Sequence, residues 1–234
     1  MPLHFADGVK AAPSTSVAGR EIVFTNSHGS RVAHRFADTT VDWSYEPAGD
    51  DPHPVISGRD DYEAFDVAEG LVYTQFHHRE AVPNAAVSLV LDFTHGRSLA
   101  VVSRIEETQV QQAFLPGRIE GFATLGPQPA HSTALVGRRV RWTSGAHRCE
   151  HDYHSAGSYT WRCSAGATDH CTTYQLRPGI SVFAAREKSA PSASVSVIDH
   201  RDSAALRSYG AVFGLDEGPT QLTFGAAGEL LGEN

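Results

Sequence analysis

The sequence predicts an all-β protein built as two small antiparallel barrels in tandem. Three observations predict it. Short runs rich in Val, Thr, Tyr, Phe and Trp recur between Gly, Pro, Asp and Asn turns, the pattern of many short strands. No segment sustains a long 3.6-residue apolar period, so long helices are not expected. The chain also repeats itself. Trp43 follows Gly19 by 24 residues, and Trp161 follows Gly137 by 24 residues.

The elements follow in order. Residues 1–17 are polar and rich in Ala, Ser and Pro, and read as an arm. Strands are expected at 21–25, 31–36, 40–45, 71–77 and 87–93, with a short helix at 60–68. Together they give a first barrel over 18–115. Residues 116–132 hold Gly117, Gly121, Gly126, Pro127 and Pro129, a linker composition. The mirrored strands are 140–143, 149–154, 158–163, 179–185 and 195–200, within a second barrel over 133–217. Residues 218–234 read as a tail. Landmarks recur in the same order in both halves. Val32 to Phe36 matches Cys149 to Tyr153, Gly70-Leu71-Val72-Tyr73 matches Gly179-Ile180-Ser181-Val182, and Arg79-Glu80 matches Arg186-Glu187. Such self-similarity indicates an internal duplication.

Composition excludes several classes. The 234 residues are 41% hydrophobic and 20% charged, a globular mixture. The net charge of -8 argues against a nucleic-acid partner. No apolar run is long enough for a spanning helix, so no membrane partner is expected. The first 20 residues include His4, Asp7, Lys10 and Pro13 and lack an apolar signal core, so a cytoplasmic protein is expected. Cys149, Cys163 and Cys171 are an odd set and read as three reduced, partly buried thiols, with a Cys163–Cys171 bridge as the alternative if a hairpin aligns them. No matched pairs at zinc spacing exist, so no metal is expected. Exposed barrel surfaces leave room for a homodimer.

Period-two alternation assigns faces. His34 shares a side with Val32 and Phe36 and points inward. Cys149, His151 and Tyr153 share a face, while Glu150, Asp152 and His154 face water. Trp43 goes with Val41 and Tyr45, and Trp161 goes with Tyr159 and Cys163. Only one member of each Arg-Glu pair can face inward. Such residues commonly serve as hydrogen-bonded core or filler. Their convergence in one small barrel favours a ligand pocket.

The run Glu150-His151-Asp152-Tyr153, then Tyr159-Thr160-Trp161-Arg162-Cys163, then Arg186-Glu187-Lys188 with Pro191, Val195, Val197-Ile198-Asp199 and Gly210 with Phe213-Gly214, resembles the C-terminal domain of the MoaF family (molybdenum cofactor biosynthesis protein F-like). The first half, with Asp42-Trp43, Asp60, Tyr62, Ala64 and Ser88 to Asp92, is similar to its N-terminal domain. The resemblance covers 18–217. It implies two tandem lipocalin-like (calycin-type) antiparallel β-barrels and defines no reaction. Asp152, Ala184-Ala185 and the short Cys163 to Cys171 segment depart from the family pattern. They suggest a divergent member with an altered pocket, used in specialised metabolism.

No phosphate loop and no G-x-S-x-G elbow is present. Acid–base chemistry by His, Tyr and Glu remains. The expected function is a cofactor-independent lyase or isomerase acting on a small hydrophobic or aromatic molecule. Its reaction would be an isomerisation, cyclisation, dehydration or decarboxylation. His151 is the expected acid/base, Tyr153 the hydrogen-bond donor and Arg186 the oxyanion anchor, with Glu187 as alternate if the strand faces the other way. Trp161 is the stacking wall, and Tyr159, Cys149, His34 and Trp43 line the binding surface. One alternative is a binding barrel without turnover. Another is a haem- or metal-binding oxygenase using His77-His78 or His151.

Overall fold

The computed structural model describes residues 10–49, 51–163, 166–215 and 218–233. Every regular element among them is a strand. The chain divides into two compact units, formed mainly by 12–104 with 111–129 and by 130–234. Each holds an eight-stranded antiparallel barrel.

The first barrel runs β1 (Glu21–Asn26), β2 (Arg31–Phe36), β3 (Thr40–Glu46), β4 (Ile56–Ala68), β5 (Leu71–His77), β6 (Ala85–Asp92), β7 (Arg97–Glu106) and β8 (Gln109–Ile119). Each strand pairs with the next, and β8 returns to β1, where Ile119 pairs with Phe24. Alternation explains the filling. Phe24, Phe36, Val41, Trp43, Tyr62, Phe76, Leu89 and Leu91 pack into one buried cluster.

The second barrel runs β10 (Arg138–Ser144), β11 (His147–Ser155), β12 (Ser158–Arg162), β13 (Gly166–Arg177), β14 (Ile180–Arg186), β15 (Ser192–Asp199), β16 (Leu206–Leu215) and β17 (Pro219–Glu233). Strand β17 pairs with both β16 and β10, and β12 pairs with β13, so the ring closes. A two-residue strand β9 (Ala130–His131) adds to β13.

Several expectations are corrected. Residues 60–68 are strand, not helix: β4 is paired on both sides, to β3 and β5, and that pairing overrides the helix preference of its Glu and Ala. The linker expected at 116–132 begins inside β8, and its residues 130–131 form β9. The tail expected at 218–234 is largely β17, which closes the second barrel. Its glycines disguised it. Gly228 leaves room for the Trp142 ring, which would lie 2.5 Å from a Cβ there. The arm is partly docked: the Ser14 N–H donates to Ala64 O at 2.7 Å, and Val17 is fully buried in the first core. Its residues 1–9 lie outside the described residues.

The cysteines are corrected too. Cys149 and Cys163 form a disulfide, with Cα atoms 4.3 Å apart, and Cys171 is the buried free thiol. Glu150 pairs with Arg162 across β11 and β12, which puts Cys149 opposite Cys163. The expected three reduced thiols and the alternative Cys163–Cys171 bridge are both replaced by this pairing.

The two interiors differ along one wall. On β6 the inward residues are Val87, Leu89 and Leu91. On β15 the matching positions are Ser194, Ser196 and Ile198, set opposite Ala185, Phe183 and Ser181. Serines stand there in place of branched aliphatics, and the Phe224 ring packs over Gly210 beside Ser196.

Candidate functional site

The duplication places the same motif in each barrel. His34 pairs with Trp43 across β2 and β3, and His151 pairs with Trp161 across β11 and β12. Trp43 Nε1 donates to Asp60 Oδ2 at 2.7 Å, and Trp161 Nε1 donates to Asp169 Oδ2 at 2.7 Å. The other carboxylate oxygen accepts a backbone N–H in each case, from Arg79 at 3.0 Å and from Lys188 at 3.1 Å. Asp60 is 5% exposed and Asp169 3%.

The third partner differs. In the first barrel His78 Nδ1 lies 2.9 Å from Asp60 Oδ2, with its ring 4.1 Å from that of Trp43. The matching residue in the second barrel is Glu187. Asp169 precedes His170, which pairs with Arg186, so Glu187 follows directly opposite Asp169. The Glu187 N–H donates to Ser192 O at 2.9 Å, which extends the β14–β15 ladder to that residue. The expected equivalence of Arg79-Glu80 with Arg186-Glu187 is therefore two residues out of step, and Arg79 corresponds to Lys188.

The second barrel gathers an aromatic wall beside this carboxyl pair. The Tyr159 ring lies 5.1 Å from Phe183 and 6.3 Å from Tyr153, and His151 lies 5.2 Å from Tyr159. Trp142 Nε1 donates to Tyr153 Oη at 3.2 Å, and Tyr153 Oη lies 3.4 Å from His151 Nδ1. Burial holds the His151 imidazole down to about 4, so it is neutral at pH 7. Burial raises the Tyr153 phenol, and burial with the Asp169 charge beside it raises the Tyr159 phenol. Burial also raises the Glu187 carboxyl, and the Asp169 charge adds to that. The Cys171 thiol is pushed up to about 11 by burial, with Arg186 opposing the shift. A buried acid with a raised pKa is the usual means of keeping a proton donor at neutral pH.

Accessibility separates the barrels. Trp43, His34 and His78 are all buried in the first. Their counterparts His151, Trp161 and Glu187 keep accessible surface, as do Ser192 and Ser194 on the facing wall. Of the expected site residues on this inner face, His151, Trp161 and Glu187 keep accessible surface, while Tyr153 and Tyr159 are buried beside them.

Other expected residues fall elsewhere. Arg186 shares strand parity with Val182 and Ala184, opposite to the inward Phe183 and Ala185, so the strand directs it away from the interior. Adjacent residues on a strand cannot both point inward, and Glu187 takes that place. Cys149 is committed to its disulfide. His34 lies in the first barrel, its ring stacked 5.6 Å from Phe24 and 5.9 Å from Phe36, and burial holds it down to about 3. Its Nδ1 has no hydrogen-bond partner. His77 Nε2 lies 2.6 Å from Pro83 O and His78 is held by Asp60, so neither projects free for haem. Among the described residues, no three His, Cys, Asp or Glu side chains converge as a metal would need. Sequence reasoning missed Asp60 and Asp169. Their signal was a buried acid beside each conserved-register tryptophan, visible only once strand pairing is known.

Two family models match the chain. The MoaF N-terminal domain matches residues 4–107 and the MoaF C-terminal domain matches residues 129–234. Protein MoaF of Klebsiella aerogenes is 31% identical over 119 residues. That match takes in 48% of this chain and 44% of the relative, less than half its length. A protein of unknown function from the DUF3598 family of Nostoc punctiforme PCC 73102 covers 90% of this chain and 94% of its own, at 13% identity and a TM-score of 0.39. No helix of the described residues is long and apolar enough to cross a membrane.

Proposed function

The chain belongs to the MoaF family, carrying both of its domains, and from that premise we propose a cofactor-independent enzyme of lyase or isomerase type. It works in the lumen of the second barrel, by acid–base chemistry on a small hydrophobic or aromatic molecule. The observation that carries this is Glu187. It is inward-facing, partly accessible, raised by burial, and set opposite a second buried carboxyl. In its acid form it delivers a proton to the substrate and as carboxylate takes one back, so it leaves the cycle unchanged. Neutral His151 and Tyr153 orient the substrate by hydrogen bonds. Trp161 supplies the wall, and Tyr159 and Phe183 keep the floor apolar.

The test is proton exchange. The protein is incubated in D2O with a panel of small aromatic ketones, aldehydes and alkenes, and mass spectrometry reads deuterium gain. Exchange that falls about 100-fold or more in Glu187→Gln, with the fold retained, is the expected result. Exchange unchanged in that variant overturns the assignment.

The second reading, a binding barrel without turnover, draws on His151 being neutral and on Arg186 lying off the interior face. Ligand retained through the same incubation with no exchange at all would favour it. The cytoplasmic setting belongs to the same proposal. It makes the Cys149–Cys163 bridge a reversible one, since cytoplasmic thiols are held reduced.

A further inference from the structure

The two barrels differ at one site in charge, and the difference specifies a ligand class. In the first barrel the buried Asp60 carboxyl has three partners: the Trp43 indole N–H, the Arg79 backbone N–H and the His78 ring nitrogen. In the second, Asp169 keeps the first two kinds of partner, from Trp161 and Lys188. The position of His78 is taken by Glu187, a second acid. Nitrogen has been exchanged for carboxyl where a buried carboxyl would otherwise find its nitrogen partner.

Among the described residues the Ser192 side chain hydrogen-bonds the Glu187 carboxyl, and no nitrogen takes the place that His78 holds in the first barrel. Arg186 precedes Glu187 on the strand and has outward parity. Lys188 meets Asp169 through its backbone N–H, and its residue is exposed. The inward groups nearest the pair are aromatic: Trp161 bonded to Asp169, then Tyr159, whose phenol feels both acids, then His151. An unpartnered hydroxyl also faces this interior. Ser144 Oγ is without a hydrogen bond, its residue is 3% exposed, and it shares inward parity with Val140 and Trp142 on β10. Carboxyls beside aromatic faces attract an organic ammonium group by Coulomb and cation–π forces, and they repel a carboxylate.

We propose that the second barrel takes a small aromatic amine in its protonated form, whose ammonium group sits between Asp169 and Glu187 where the first barrel has His78. This deepens the function proposed above and rests on the same lumen. It replaces the expectation of an acid held by Arg186 with a base held by Glu187.

The test is calorimetric binding to the full chain at pH 7 with three probes on one hydrocarbon frame: 3-phenylpropylamine, 3-phenyl-1-propanol and 3-phenylpropanoate. The amine is expected to bind at least about tenfold tighter than the alcohol, with the carboxylate weakest. Glu187→His should restore the first barrel's pairing and abolish the preference for amine over alcohol. Asp169→Asn should weaken the amine in the same direction. Carboxylate binding as tight as the amine overturns the proposal, as does a preference that survives both substitutions. Equal binding of all three probes defeats the charge inference alone, whereas binding of none defeats the ligand lumen and the proposed function with it.

Discussion

Trp161 holds Asp169 through an indole N–H bond of 2.7 Å, and Trp43 holds Asp60 through one of the same length. The bond thus recurs in both barrels while the neighbouring partner changes from His78 to Glu187. In each barrel it ties β3 to β4, or β12 to β13, across a diagonal of the sheet. It also fixes the indole against the interior.

That bond sets a first prediction. Trp43→Phe removes a donor from a buried carboxyl, and the cost is about 2–3 kcal/mol. Trp161→Phe should cost less, about 1 kcal/mol, because its surroundings keep accessible surface and water can replace the indole. Urea unfolding midpoints of the two variants measure the difference. Equal losses would count against an open second lumen.

Acid stability follows from the two buried histidines. His34 is held down to about 3 and His151 to about 4, both below the ordinary value of 6.5. The folded state therefore binds fewer protons than the unfolded chain between those values. Stability is full above pH 6.5 and is lost as pH falls toward the folded pKa values. Each histidine contributes up to about 1.4 kcal/mol per pH unit in that window. His34→Leu should flatten the slope of stability between pH 4 and 6, as read by urea titrations at several pH values. A slope unchanged in that variant would mean His34 titrates normally.

Strands β1 to β3, β5, β6, β10 to β12, β14 and β15 were legible because alternation of Val, Tyr, Phe and Trp survives in them, and the inward placement of His34 and His151 follows from it. Strands β4, β7, β8, β9, β13 and β16 were not read as strands, and neither was the closing strand β17. Gly225, Gly228 and Gly232 made β17 read as tail, and of these Gly228 lets the Trp142 ring approach the backbone. The Glu187 site was half legible. Sequence reasoning named Arg186 and Glu187 together, and only the ladder through Ala185 and Ser192 decides which one faces inward. Asp169 had no local signal, since its bond to Trp161 crosses between strands. The Cys149–Cys163 bridge depends on the same register and was equally hidden.

The bridge gives the third prediction. Its two cysteines are 14 residues apart, and closing such a loop stabilises a fold by about 3 kcal/mol in the chain-entropy model. Under non-reducing denaturation, thiol titration should find Cys171 alone, and reduction should expose the other two. The Cys149→Ser, Cys163→Ser double variant should lose stability by about 2–4 kcal/mol. It should match the reduced wild type in thermal unfolding. A wild type that titrates three thiols before reduction would contradict the bridge.

The last prediction concerns how the second barrel holds its shape around the lumen. A Cβ at Gly210 would lie 2.5 Å from Phe224 Cζ and 2.7 Å from Ser196 Cβ. Gly210 on β16 thus lets the Phe224 ring cross the interior against the serine wall of β15. Gly210→Ala must move one of them, at a cost of about 1–3 kcal/mol for overpacking. Relief should come from the ring and not from the backbone, because β16 is paired on both sides, to β15 and β17. Phe224→Leu, harmful alone through lost burial, should therefore recover part of the loss when combined with Gly210→Ala. A coupling energy of about 1 kcal/mol in the double-mutant cycle is the expected reading. Strict additivity would place the Phe224 ring away from Gly210 and leave the lumen wall without its filler.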